Sequence, residues 1–204
     1  MSDMDSLSYI IEKYDVPTIG DLPITLPISR EKELPALFCE LGFRVGAEIG
    51  VEQGKFSETL CKANPDLKLY SIDPWDAYDR GSHVVPQRKL DRYYAEAVER
   101  LKPYNCEIIK RYSQDIVRKF KPGTLDFVYI DGNHEFEYVM QDIIQWSKIV
   151  RGGGIVSGHD YCLDKHERLP FHVIQATKVY TEVYNIRPWF RTADHAPSWM
   201  WVKP

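Results

Sequence analysis

Residues 125–131 read LDFVYID, apolar at nearly every position. A strand with one face in water alternates apolar and polar residues. One this uniformly apolar is covered on both faces, as a central strand of a parallel sheet is. Parallel neighbours need a crossover connection, usually a helix. The rest of the chain supplies that alternation. RVGAEIG (44–50), KLYSID (68–73), CEIIKRY (106–112) and GGGIVSGHD (152–160) read as further strands. Between them GKFSETLCKAN (54–64), QRKLDRYYAEAVERLKPY (87–104), SQDIVRKFK (113–121) and EYVMQDIIQWSKIV (137–150) carry apolar residues at helical spacing. The pattern predicts an α/β domain with a mostly parallel sheet. After a last helix (170–184), RPWFRT and PSWMWVK form two strands with no helix between them, so at least one is expected to run antiparallel.

Ahead of this series, residues 29–41 show helical spacing, with Ser29 as the expected N-cap and Gly42 as the stop. Residues 1–28 hold Pro17, Pro23 and Pro27 and little periodicity beyond a short helix near Ser6 to Tyr14. They are read as an N-terminal arm, and residues 29–204 as the domain. The arm is expected either to cover an acceptor pocket or to make a homodimer contact.

Composition excludes several classes. With 204 residues and 44% hydrophobic content the chain can bury a real core. The net charge of −4 and the lack of a basic stripe argue against nucleic acid. No apolar run approaches the roughly 20 residues that span a bilayer, so no membrane partner is expected. The opening MSDMDSLSYI has no signal-peptide character, which predicts a cytoplasmic protein. Cys39, Cys61, Cys106 and Cys162 are scattered without a CxxC pair, as reduced thiols are and zinc knuckles are not.

In doubly wound sheets ligands sit beyond the carboxyl ends of the strands. There the first strand gives Gly50 and Gly54, with Glu48 and Glu52 close by. Glycine lets a backbone approach a ligand, and the following helix start offers free N–H groups. Two carboxylates suit a cationic amine or sulfonium better than a pyrophosphate. Asp73 ends the second strand about 20 residues on, where an acid bonds a ribose diol. Trp75 and Tyr78 offer apolar contact for an adenine ring. Ser113 and Gln114, after the third strand, can meet the base edge.

The fourth and fifth strands end in Asp131 and in His159–Asp160, with His134 just beyond. Adjacent parallel strands put these at one edge. Two carboxylates that close repel, or share a proton or a cation. Oxygen ligands favour Mg²⁺, Mn²⁺ or Ca²⁺, and the histidines would tilt the set toward Zn²⁺ or Fe²⁺. The histidines can be ligands or a general base. Asp142, inside a helix, reads as structural, bonded to a backbone amide.

AEIGVEQGKFSETL, YSIDPWD and LDFVYIDGNHEFEYVMQDIIQWSKIVRGGGIVSGHDY together resemble the class I S-adenosylmethionine-dependent methyltransferases. They are most similar to the small-molecule group that holds macrolide-sugar O-methyltransferases and relatives of catechol O-methyltransferase. The resemblance spans about residues 44–161. It implies a Rossmann-like, doubly wound, seven-stranded sheet with an antiparallel last strand, and O-methylation of a small polar metabolite or sugar. It implies S-adenosylmethionine on Glu48, Gly50, Gly54, Asp73, Ser113 and Asp131, to which the reading of the turn and of the second strand end adds Glu52 and Trp75. It further implies a divalent cation such as Mg²⁺ on Asp131 and Asp160 and His134 as a base, and with His159 from the strand-edge reading the expected catalytic set is Asp131, His134 and His159. His159 and Tyr161 stand where metal-dependent members often carry a further Asp or Asn. Two alternatives stay open: a non-catalytic S-adenosylmethionine-binding protein, and a nicotinamide-dependent oxidoreductase, which the missing third glycine disfavours. The loop Asp76 to Leu90, with Tyr78, Arg80, His83, Arg88 and Lys89, is either a solvated loop or a lid, and HDYCLDKHERLP is the other candidate wall.

Overall fold

The computed structural model describes residues 5–17, 20–79, 84–163 and 171–204. Arg80, His83 and residues 164–170 of the two candidate walls lie outside these.

The main sheet has eight strands, in chain order β1 (Ile24–Thr25), β2 (Val45–Ile49), β3 (Lys68–Asp73), β6 (Cys106–Lys110), β7 (Leu125–Ile130), β8 (Val150–Gly158), β9 (Phe190–Arg191) and β10 (Trp199–Val202). A separate hairpin pairs β4 (Tyr78–Asp79) with β5 (Val84–Val85). The helices are α1 (Ser6–Lys13), α2 (Glu33–Glu40), α3 (Lys55–Ala63), α4 (Gln87–Leu101), the single turn α5 (Ser113–Ile116), α6 (Phe136–Ile149) and α7 (Val173–Val183). None of the described helices is long and apolar enough to cross a membrane.

The strand order is β1-β9-β10-β8-β7-β2-β3-β6. All neighbours are parallel except β10, which is antiparallel to both β8 and β9. The doubly wound, mostly parallel sheet with an antiparallel last strand is therefore as expected, with one strand more than seven. The extra strand is β1. Ile24 and Thr25 of the arm pair with Phe190 and Arg191, and a two-residue strand leaves no periodicity to read. Ile10, Leu26 and Ile28 of the arm are buried in the core.

β7 shows how the sheet is covered. Val128 and Ile130 face a core with Ile143 and Trp146 of α6, while Phe127 and Tyr129 face Phe38 of α2 and Phe56 of α3. Gly46 of β2 lies against the Phe127 ring, where a Cβ would sit 2.2 Å from it. A smaller cluster joins Val51, Trp75, Val85, Leu90, Ala97 and Leu101 beneath α4. The fifth strand starts at Val150, two residues earlier than its glycines suggest. Val150 pairs with Leu125, and the glycines carry an irregularity before Ile155 pairs with Phe127. α2 starts later than expected. Lys32 is its N-cap, and Ser29 instead donates to the Glu33 carboxylate from both its N–H and its hydroxyl.

The strand order reverses between β2 and β7. From β2 the chain winds outward to β3 and β6, and from β7 to β8. Ile49 pairs with Ile130, so Gly50 and Asp131 emerge side by side at the carboxyl edge. That is the switch point, where such sheets hold ligands.

Candidate active site

A cleft of about 940 Å³ opens at this edge, within the roughly 300–1,000 Å³ range of small-molecule sites. It is lined by the β2–α3 turn, the end of β3 with the loop to α4, the start of α5, and the β7–α6 turn.

The β2–α3 turn is built by backbone constraint. Gly50 has φ +85°, and a Cβ there would lie 2.0 Å from the Asp131 carbonyl oxygen. Gly54 has φ +73°, and its Cβ would press on Leu101 and Ala97 of α4 at 3.1 and 3.3 Å. In this structure both glycines answer to other parts of the chain, an origin that the motif alone does not reveal. Glu52 between them also has a positive φ, 51°.

Asp73 and Trp75 hold the turn in place. Asp73 Oδ2 accepts from the N–H groups of Val51 (2.8 Å) and Glu52 (3.0 Å), and Oδ1 accepts from the Trp75 N–H at 2.7 Å. The Trp75 indole N–H donates to the Glu52 carbonyl at 2.8 Å. Its ring is fully buried, packed 4.9 Å from Tyr94. It therefore supports the turn, with no exposed face for a base, contrary to the expected adenine contact. Half-exposed aromatic surface at the cleft comes from Tyr78, Tyr112 and Tyr138.

Glu48 is buried beneath the turn. Its carboxyl accepts from Ser57 of α3, whose hydroxyl also meets Ser71 of β3 at 2.7 Å. Burial pushes its pKa up to about 8, against the opposing pull of Ser57 and Arg30. Glu48 is then largely protonated at neutral pH, so it anchors α3 to the sheet and adds little negative charge to the cleft. Ser113 is buried and donates its hydroxyl to Asp142 of α6. Asp142 accordingly bonds a side chain, where a backbone amide was expected. Burial raises its pKa to about 6, moderated by Ser113.

The acidic edge assembles from β7, β8 and the β7–α6 turn. His159 Nδ1 lies 3.1 Å from Asp160 Oδ1 and 3.8 Å from Asp131 Oδ1. His134 Nε2 lies 3.0 Å from Asp160 Oδ2 and 3.9 Å from Asp131 Oδ1. That nitrogen is buried and, among the described residues, has no well-aligned hydrogen bond, although Asp160 stands within hydrogen-bonding distance of it. Burial alone would lower the His134 pKa. The carboxylates of Asp131 and Asp160 outweigh it and push the value up to about 9. For Asp160, burial works upward, but the two histidines hold its carboxyl well below the usual range. Among the described residues, Asp131, His134 and Asp160 can each turn one ligand atom to within 4.8 Å of the others. One imidazole nitrogen and two carboxylates this close together are a donor set that fits a divalent cation.

Sequence reasoning missed Arg30. From the segment before α2, it donates through Nη2 to Asp131 Oδ2 at 2.7 Å, and its guanidinium lies 4.4 Å over the Phe56 ring. No local pattern marks it, because its partner is 101 residues away.

Comparison with solved structures supports the fold. The O-methyltransferase TomG from Streptomyces achromogenes, involved in tomaymycin synthesis and solved with S-adenosylmethionine, matches with TM-score 0.59 at 19% identity, over 100% of this chain and 92% of TomG. An O-methyltransferase from Bacillus cereus, solved with S-adenosylhomocysteine, matches with TM-score 0.59 at 15% identity, over 100% and 93%. The N-methyltransferase NodS from Bradyrhizobium japonicum matches with TM-score 0.55 at 17% identity, over 86% and 97%. No curated protein matches the chain in sequence. The family profile described as "Methyltransferase domain" matches residues 47–161, more than half of the chain, from the β2 motif through the Asp160 edge. The chain therefore belongs to the methyltransferase-domain family, on a fold shared with methyltransferases solved with S-adenosylmethionine or S-adenosylhomocysteine.

Proposed function

We propose that the protein methylates a hydroxyl oxygen of a small polar acceptor, a sugar or another hydroxylated metabolite. The observation that supports this reading is the Asp131–His134–His159–Asp160 cluster beside a cleft large enough for cofactor and acceptor together. An amine loses its proton readily and needs little help. A hydroxyl needs a base or a cation to become a nucleophile, and this cluster can supply either.

S-adenosylmethionine supplies an electrophilic methyl group on a sulfonium. The β2–α3 turn, fixed by Asp73 and Trp75, lines the cleft that receives it, with Ser113 and Asp142 in the wall beside α5. Asp131 and Asp160 would hold a divalent cation, with His134 as the third donor. Such a cation would lower the pKa of an acceptor hydroxyl. In the ligand-free protein, with its pKa at about 9, His134 carries a proton at neutral pH. It can orient an acceptor oxygen in that form, and take its proton only once the surrounding negative charge is balanced. The proposed work of the protein is alignment: an acceptor oxygen held in line with the methyl group at near-attack distance.

The test is methyl transfer from labelled S-adenosylmethionine to a panel of hydroxylated acceptors and matched amines, with Mg²⁺ or with chelator. Methyl ethers formed in the presence of Mg²⁺ would support both the atom and the cation. Transfer to amines alone would overturn the O-methylation reading. Ether formation that ignores chelator would overturn the cation. Tight adenosyl binding with no turnover across the panel would favour a non-catalytic binding protein.

A further inference from the structure

We infer that Arg30, paired with Asp131, binds the amino-acid end of the cofactor and takes its carboxylate. The inference rests on the proposed adenosylmethionine site and assigns one group within it.

The Arg30 side chain is held on several sides. Its backbone N–H donates to Asp194 at 2.7 Å, which fixes the chain just before α2. The guanidinium lies over Phe56 at 4.4 Å and over Tyr129 at 5.4 Å, which sets its plane. Nη2 bonds Asp131 Oδ2. The group therefore stands where β2, β7 and the first turn of α3 meet, at the inner end of the cleft. Among the described residues, its Nε is buried there without a partner. A buried donor left unpaired is costly, and an arginine edge more so, because its parallel N–H groups match a carboxylate in two-point fashion. Ordered structure around a guanidinium with one N–H still unpaired is what a group awaiting a second acceptor shows.

Charge balance points the same way. The cleft is lined by the carboxylates of Glu31, Glu52, Asp73, Asp76, Asp131 and Glu135, against Arg30, Lys55, Lys89 and the protonated His134. Lys55 is exposed. The acidic walls suit the sulfonium and ammonium of the cofactor, but they repel its carboxylate. His134 is flanked by Asp131 and Asp160, which leaves Arg30 as the cation with an N–H to offer it. The cofactor carboxylate meets Arg30, and Asp131 Oδ1, which faces His134 and His159, stays available for the cation proposed above. Lysine could supply the charge but not the planar fork.

The experiment compares two ligands by titration calorimetry. S-adenosylhomocysteine carries the amino-acid end, and 5′-methylthioadenosine lacks it. With Arg30→Met, which keeps the stem over Phe56, S-adenosylhomocysteine should bind roughly 10- to 100-fold more weakly. 5′-Methylthioadenosine should be unaffected. Arg30→Lys should fall between, and it carries the same comparison if Arg30→Met does not fold. Unchanged S-adenosylhomocysteine affinity would overturn the assignment. An equal loss for both ligands would also overturn it, since Arg30 would then only shape the cleft. If the wild-type protein binds neither ligand, the adenosylmethionine site itself is wrong, an outcome distinct from a failure of Arg30 alone.

Discussion

Gly50 is the residue with least freedom in the site. Its φ of +85° is one constraint, and the Asp131 carbonyl, 2.0 Å from where a Cβ would be, is another. Relief would require separating the ends of β2 and β7, the two strands that define the cleft. Gly50→Ala is therefore expected to destabilise the fold by at least about 1–3 kcal/mol in urea denaturation. A change below 0.5 kcal/mol (about the scatter of neutral surface substitutions) would contradict the contact. Glu48 gives a second residue-scale prediction. Its carboxyl has a higher pKa folded, about 8, than its ordinary 4.5. The folded state then binds the proton more tightly, so this contribution is full below pH 4.5 and is lost as pH rises through about 8. Over that window it costs up to about 1.4 kcal/mol per pH unit. Asp142, raised to about 6, adds to the slope at its acidic end. Glu48→Gln should flatten the fall in thermal stability between pH 5 and pH 8; an unchanged slope would remove Glu48 as its cause. Little of this was legible in the sequence. The acidic and glycine positions stood out, but whether a carboxylate faces a ligand or a buried serine depends on which side of the strand it occupies.

At the scale of elements, the β2–α3 turn depends on β3 for its shape. Asp73 accepts from two of its amides, and Trp75 bonds its Glu52 carbonyl. Trp75→Ala should cost about 3–5 kcal/mol by emptying a buried site, whereas Trp75→Phe should keep most of the packing but loosen the turn. We expect Trp75→Phe to weaken S-adenosylhomocysteine binding with a smaller loss of stability. Equal cofactor affinity in Trp75→Phe and wild type would mean the indole bond does not hold the turn. The arm gives the matching prediction for the far edge of the sheet. Ile10 is fully buried and Leu26 nearly so. Ile10→Ala should lower stability by about 2–5 kcal/mol in denaturant titration; a negligible effect would mean that the arm is dispensable to the core. The long strands and helices were legible because their apolar periodicity persists over several residues. β1, β4 and β5 were not, since two-residue strands exist only through their partners.

Across the whole molecule, the sheet order explains why distant motifs form one site. The reversal between β2 and β7 aligns Ile49 with Ile130 and brings Gly50, Asp131 and Asp160 to one edge. The alternation of strands and helices made that convergence readable, because parallel strands end on the same side. Arg30 was not readable, because it reaches the edge from outside the alternating series. The roles given to these residues all require that this edge binds S-adenosylmethionine. Thermal unfolding with S-adenosylmethionine, S-adenosylhomocysteine and NADH, each with Mg²⁺ or chelator, tests it most directly. A ligand at 100 times its Kd adds about 2.7 kcal/mol, or roughly 5–10 °C for a domain of this size. The account predicts that shift with both adenosyl ligands and none with NADH. A shift with NADH alone, or none with the adenosyl ligands at saturating concentration, would contradict it.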